Sequence, residues 1–221
     1  MLKIELHNRI LENKDWITLL FVLCLLLIVI TKSSFENKFS DFKNLFFSER
    51  YVKMYKDNTH LMTFFTFLLF IVQVLSFSFF IHYILYYFEF IQKTNWIAFI
   101  QIFTALSFLI LSKYLIEKIV ATSFDIEDIS EQYNMFKVSY RNYIALLLLP
   151  ITIILYYNPK PELVVLQVII GIVLFSNFIV FIKSIKIFQK IIIGKLFYFI
   201  LYLCTLEIAP YYYMYYWFTN K

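Results

Sequence analysis

Six apolar runs separated by short polar connections divide this chain, at residues 16–31, 61–87, 96–116, 143–157, 162–182 and 196–217. A bilayer core about 30 Å thick needs roughly 20 apolar residues in helical form, so each run is a candidate transmembrane helix. Only two glycines and four prolines occur in the 221 residues. That leaves too little turn material for the many short alternating strands of a membrane barrel. The sequence therefore predicts an all-α polytopic transmembrane bundle of about six spans, forming one integral membrane domain over residues 1–221.

Composition agrees. The chain is 62% hydrophobic, against roughly 45–50% in soluble domains, and its mean hydropathy is +0.74. The run at 16–31 is short for a span, and a cleavable signal peptide is its rival. TKSSFEN, which follows it, lacks a small-x-small cleavage pattern, so an uncleaved anchor is expected.

The polar segments also carry pattern. At the N-terminus, Leu2, Leu6 and Ile10 fall on one face of a short surface helix. Over 35–56, Phe35, Phe39, Phe42, Phe46 and Tyr51 recur at three-to-five spacing, with Lys38, Lys43, Arg50, Lys53 and Lys56 between them. Such a helix lies along a membrane surface, rings in the acyl boundary and lysines near anionic lipid phosphates; a partner-docking surface is the alternative. The most polar stretch, 122–142, reads as a short surface helix before the fourth span.

Lys and Arg set the orientation. With loops assigned alternately, six of the 20 basic residues fall on one side and 14 on the other. The richer side is expected to be cytoplasmic. Both termini then face the opposite side, and the block Tyr211, Tyr212, Tyr213, Tyr215, Tyr216 and Trp217 becomes an aromatic belt at the outer interface.

The last span holds the strongest site signal. Glu207 lies near its middle, and an acid at membrane depth costs several kcal/mol or stays protonated. Pro210, one turn on, leaves the Leu206 carbonyl without its helical donor. Gln73 is expected at similar depth, so Glu207, Pro210 and Gln73 form a candidate intramembrane polar site. The readings are a neutral acid that joins helices, a proton- or ion-coupling carboxylate, and a contact to a partner subunit. Toward the cytoplasmic edge, Lys113 and Glu117 share a helix face, with Arg141 and Asn177 expected nearby as a polar cluster.

Other chemistry has no pattern to support it. Cys24 and Cys204 both lie in apolar runs, as buried small hydrophobes would. No two of His7, His60 and His82 share a span, which disfavours haem ligation. No HExxH, GxSxG or phosphate loop is present. The expectation is a chain without catalytic residues, cofactor or nucleic-acid partner. A non-enzymatic subunit or assembly factor of a membrane complex leads; a small proton-coupled transporter or channel using Glu207 is the alternative. A lipid-handling enzyme without a familiar motif is a third reading.

Three motifs carry a family resemblance: SKYLIEK at Ser112–Lys118, SYR at Ser139–Arg141, and GKLFYFILYLCTLEIAP at Gly194–Pro210. Through them the chain resembles the bacterial membrane family called domain of unknown function 4271. The resemblance covers nearly the whole chain, and the last motif is its specific part. It implies the inner membrane of a bacterium that also has an outer membrane. It transfers no catalytic residues, because the family carries no assigned activity.

Overall fold

The computed structural model describes residues 15–43, 64–123 and 127–194. Within them the chain forms six helices: α1 (Asp15–Ser34), α2 (Glu36–Lys43), α3 (Phe64–Tyr87), α4 (Trp96–Ser123), α5 (Glu127–Tyr157) and α6 (Leu163–Gly194). All but α2 are long and apolar enough to cross a membrane. The fold is a polytopic helical bundle, as the apolar runs predict. The last run, 196–217, lies outside the described residues. So do the N-terminal segment 1–14 and the part of the amphipathic stretch beyond Lys43.

Two helices, α3 and α5, make the centre, and α1, α4 and α6 pack around them. Polar groups within α3 show why it is internal: Gln73, Ser76, Ser78 and His82 are all buried. An amide or hydroxyl facing lipid has only its own helix's carbonyls to bond, so polar residues in this number turn toward other helices. Ser76 does so directly, donating to the Ala145 carbonyl of α5 at 2.8 Å. Its acceptor lies one residue before Leu146, the residue whose carbonyl loses its helical donor to Pro150. Outer helices show the reverse pattern. Phe108 of α4 is 72% exposed and Leu174 of α6 is 65% exposed, as suits side chains whose solvent is lipid.

Antiparallel packing gives the bundle two ends. At one end, α1, α4 and α6 begin while α3 and α5 finish. Trp16 of α1 packs edge-on to His82 of α3, with centroids 6.1 Å apart, and lies 5.4 Å from Phe99 of α4. The core beneath is aromatic. Phe21 stacks on Phe79 at 4.2 Å, Phe79 meets Phe99 at 4.6 Å, and Tyr156 stands edge-on to both Phe21 and Phe79. Four helices thus share one ring cluster. Aromatic pairs of this kind are worth about 0.5–1.5 kcal/mol beyond the area they bury.

The opposite end carries a second core: Phe42 of α2, Phe65 and Leu69 of α3, and Tyr133, Phe136 and Tyr140 of α5. Here the structure departs from the sequence reading. The polar stretch and the fourth span are not separate elements; one helix runs from Glu127 to Tyr157. At 1.5 Å per residue it is about 46 Å long, well beyond a bilayer core. Its polar half is held because Tyr133, Phe136 and Tyr140 follow three-and-four spacing and bury one face. Charge on the other positions concealed that stripe. α2 is short, but it is anchored by Phe42, which is 2% exposed and edge-on to Phe65 and Tyr143.

Candidate functional site

Glu207 and Pro210 lie outside the described residues. Their expected companion Gln73 sits near the middle of α3 and is 1% exposed. Its Nε2 has no hydrogen-bond partner among the described residues. A buried amide donor left unsatisfied costs about 1–3 kcal/mol, so this position calls for a further polar group at the same depth.

In the edge cluster, Lys113 and Glu117 stand one turn apart on α4, and a further residue joins them. Glu117 of α4 is buried and makes an ion pair with Lys137 of α5, Oε1 to Nζ 3.8 Å. Lys137 also lies over the Tyr133 ring, 4.7 Å from its centroid. The pair therefore joins two helices. Lys113 is half-buried one turn before Glu117, and Arg141 is half-buried one turn beyond Lys137. Asn177 is exposed on α6, where its amide donates to the Val173 carbonyl of its own helix at 2.8 Å.

The richer constellation stands at the other end of the bundle, and sequence reasoning passed over it. His82 is fully buried. Its Nδ1 is 2.7 Å from the Tyr156 hydroxyl, and its Nε2 is 3.3 Å from the Asn95 carbonyl. A carbonyl only accepts, so Nε2 carries the proton; in the neutral ring Nδ1 then accepts from Tyr156. Asn95 is fixed in turn, because its Oδ1 accepts from the Ala98 amide at 3.2 Å and caps the start of α4. Tyr156 hands the network outward. Lys93 is mostly buried and lies 5.8 Å from the Tyr156 ring and 5.4 Å from the Tyr86 ring.

Above this floor lies an open polar cleft of about 440 Å³, with Tyr86, Glu89, Phe90, Gln92, Lys93 and Lys160 in its wall. Two connections form it, the one from α3 to α4 and the one from α5 to α6. They are tied together twice: Lys160 pairs with Glu89 at 3.4 Å, and the Tyr87 hydroxyl donates to the Pro161 carbonyl at 3.1 Å. Lys160 also lies 5.0 Å from the Tyr86 centroid.

The turn that carries Glu89 is built by paired bonds. The Phe90 amide reaches back to the Leu85 carbonyl and the Glu89 amide to the Tyr86 carbonyl, which is a Schellman closure of α3. That motif needs a left-handed residue at its C′ position, usually glycine, and Glu89 occupies it with φ 64°.

A family model described as Domain of unknown function (DUF4271) matches residues 17–218. The chain belongs to that family. No curated protein and no solved structure matches it. For this DUF4271 chain, function must be argued from its own geometry.

In the DUF4271 chain the missed cluster did leave traces in sequence. Tyr83, Tyr86 and Tyr87 crowd the end of one span, Tyr156 and Tyr157 end another, and Lys93 and Lys160 stand in the lysine-poor connections beside them. Lone lysines among tyrosines at two neighbouring span ends were the available signal. What sequence could not supply was the side of α3 that faces inward. That helix carries Gln73, Ser76, Ser78 and His82 on more than one side, so no stripe orients it.

Proposed function

We propose that this chain is a non-enzymatic integral protein of a bacterial inner membrane, acting as a subunit or assembly factor of a membrane complex. The observation that carries this reading is the filled centre of the bundle. Phe21, Phe79, Phe99 and Tyr156 meet ring to ring across four helices, and Gln73 in α3 is buried. Ring contacts that join four helices suit a rigid scaffold better than a moving pathway. The long outward faces of α4 and α6, with Phe108 and Phe175 exposed, are where neighbouring subunits would sit.

In the proposed orientation the Trp16 end lies on the periplasmic side and the Phe42 end in the cytoplasm, as the loop lysines require. The C-terminus is then periplasmic. Lys38 and Lys43 of α2 meet anionic lipids at the cytoplasmic face. Partners are membrane proteins and lipid rather than nucleic acid.

A photo-crosslinking residue at Phe108 or Phe175, followed by isolation in mild detergent, tests the assignment. Discrete adducts with defined membrane polypeptides, and a native mass above the 26.8 kDa chain, are expected. Recovery of the chain alone as a monomer, with adducts to lipid only, overturns it.

A second reading has one observation in its favour, the unpartnered Nε2 of buried Gln73. A polar group at that depth is what a proton-coupled transporter using Glu207 would provide. Substitution Glu207→Gln tests this: transport lost at unchanged abundance supports it, and full function in cells that need the protein removes it.

A further inference from the structure

The cleft at the Trp16 end has no part in the scaffold reading, yet its construction is unusual for a mere connection. Glu89 holds a left-handed backbone that costs a side-chain-bearing residue about 1–2 kcal/mol. Its visible return is an ion pair with Lys160, in which the Glu89 side chain is 82% exposed. A pair so exposed is commonly worth 0–1 kcal/mol. Glycine would close the helix with less strain, so stability does not account for a carboxylate here. Backbone strain kept at a cleft points to a function of the cleft.

Charge and position indicate the ligand. Lys93 and Lys160 both approach the Tyr86 ring, at 5.4 and 5.0 Å from its centroid. Their ammonium groups are thus at most about 10 Å apart and repel each other in a medium less polarisable than water. Two ammonium groups thus face the Glu89 carboxylate across the cleft, and an anion between them lowers their repulsion. The cleft's volume falls in the ~300–1,000 Å³ range of small-molecule sites. Its wall also offers apolar surface: Phe90 is 76% exposed, beside Ile91. α3 finishes and α4 begins at this level, which is the depth of lipid headgroups.

We propose that this cleft binds the phosphodiester headgroup of an anionic phospholipid. Lys93 and Lys160 hold the phosphate, and Phe90 lies against the first methylenes of its chains. Glu89 occupies Lys160 when the lipid is absent and releases it when the lipid binds. The exchange is inexpensive because the pair it breaks is exposed. This assignment stands apart from the partner reading above and does not depend on it.

Native mass spectrometry of the full chain in mild detergent tests it, with phosphatidylglycerol, phosphatidylcholine and inorganic phosphate as separate probes. Phosphatidylglycerol should be retained at least tenfold more strongly than phosphatidylcholine. Lys160→Gln should cut retention at least threefold, and Lys93→Gln further. Glu89→Gln should raise it about twofold or more, by freeing Lys160. Lys160 and Glu89 are exposed, so their variants fold even if Lys93→Gln does not. Lys118→Gln, exposed near the far end of α4, should change nothing. The proposal falls if Lys160→Gln and Glu89→Gln both bind like the unaltered chain, if Lys118→Gln weakens binding equally, or if inorganic phosphate competes as well as lipid. That last result would make the cleft a free-phosphate site.

Discussion

His82 and Tyr156 are joined by a 2.7 Å hydrogen bond between Nδ1 and Oη, and both side chains are fully buried. The rings also lie nearly parallel, 15° apart with centroids 6.2 Å apart. Because the Asn95 carbonyl fixes the proton on Nε2, the neutral ring depends on the Tyr156 hydroxyl for its second partner. Tyr156→Phe should therefore destabilise the bundle by about 1–3 kcal/mol, the usual range for a buried polar atom left unpaired. His82→Phe with Tyr156→Phe should cost less than the two single changes together, since the orphaned atom goes with the ring. Thermal unfolding of the four proteins in one detergent gives the coupling; strict additivity would mean the bond contributes nothing.

At the turn after α3, two substitutions of Glu89 separate strain from charge. Glu89→Ala loses the Lys160 pair and keeps a Cβ on a left-handed residue. Glu89→Gly loses the pair and removes that Cβ. The glycine variant should be the more stable of the two by about 1 kcal/mol. Equal stabilities would show that the turn bears no backbone strain.

These predictions rest on parts of the molecule that the sequence exposed unequally. The helical bundle was legible, because uninterrupted apolar runs with little glycine permit nothing but helices in lipid. Trp96 and the Asn158–Pro159 turn marked boundaries that the structure keeps. The continuity of α5 was not legible, because Glu127, Asp128 and Glu131 signal a surface helix while Tyr133, Phe136 and Tyr140 do the packing. His82 was hidden for another reason. Its partners Tyr156 and Asn95 are 74 and 13 residues away, and only tertiary contact puts them on one point.

The Glu117–Lys137 pair offers a test of how α4 and α5 are held at the Phe42 end. Both side chains are about nine-tenths buried, with 6% and 11% of their surface exposed. Removing one charge takes an ionic partner from the other in a poorly solvated place, which for buried pairs costs up to about 3–5 kcal/mol. Glu117→Gln and Lys137→Met should each approach that loss, and the double variant should recover much of it. Chemical denaturation in detergent is the measurement. A double variant as weak as the sum of the singles would mean that the two charges act independently.

Gln73 and Glu207 can be tested for proximity without reference to function. The Nε2 of Gln73 is buried at the middle of α3 without a partner among the described residues, and Glu207 is expected at the same depth from its place in the last apolar run. Cysteines at both positions, in a chain with Cys24 and Cys204 replaced by serine or alanine, should crosslink under mild oxidation. Disulfides form only when the two Cα atoms come within about 7 Å, so the reaction reports contact between helices rather than shared depth alone. Gln73→Cys paired with a cysteine at Leu203 or Tyr211, one turn away on either side, should react more slowly. A crosslink favoured at either flanking position would shift the acid by a turn, and no reaction at any of the three would place the last run elsewhere on the bundle, away from α3.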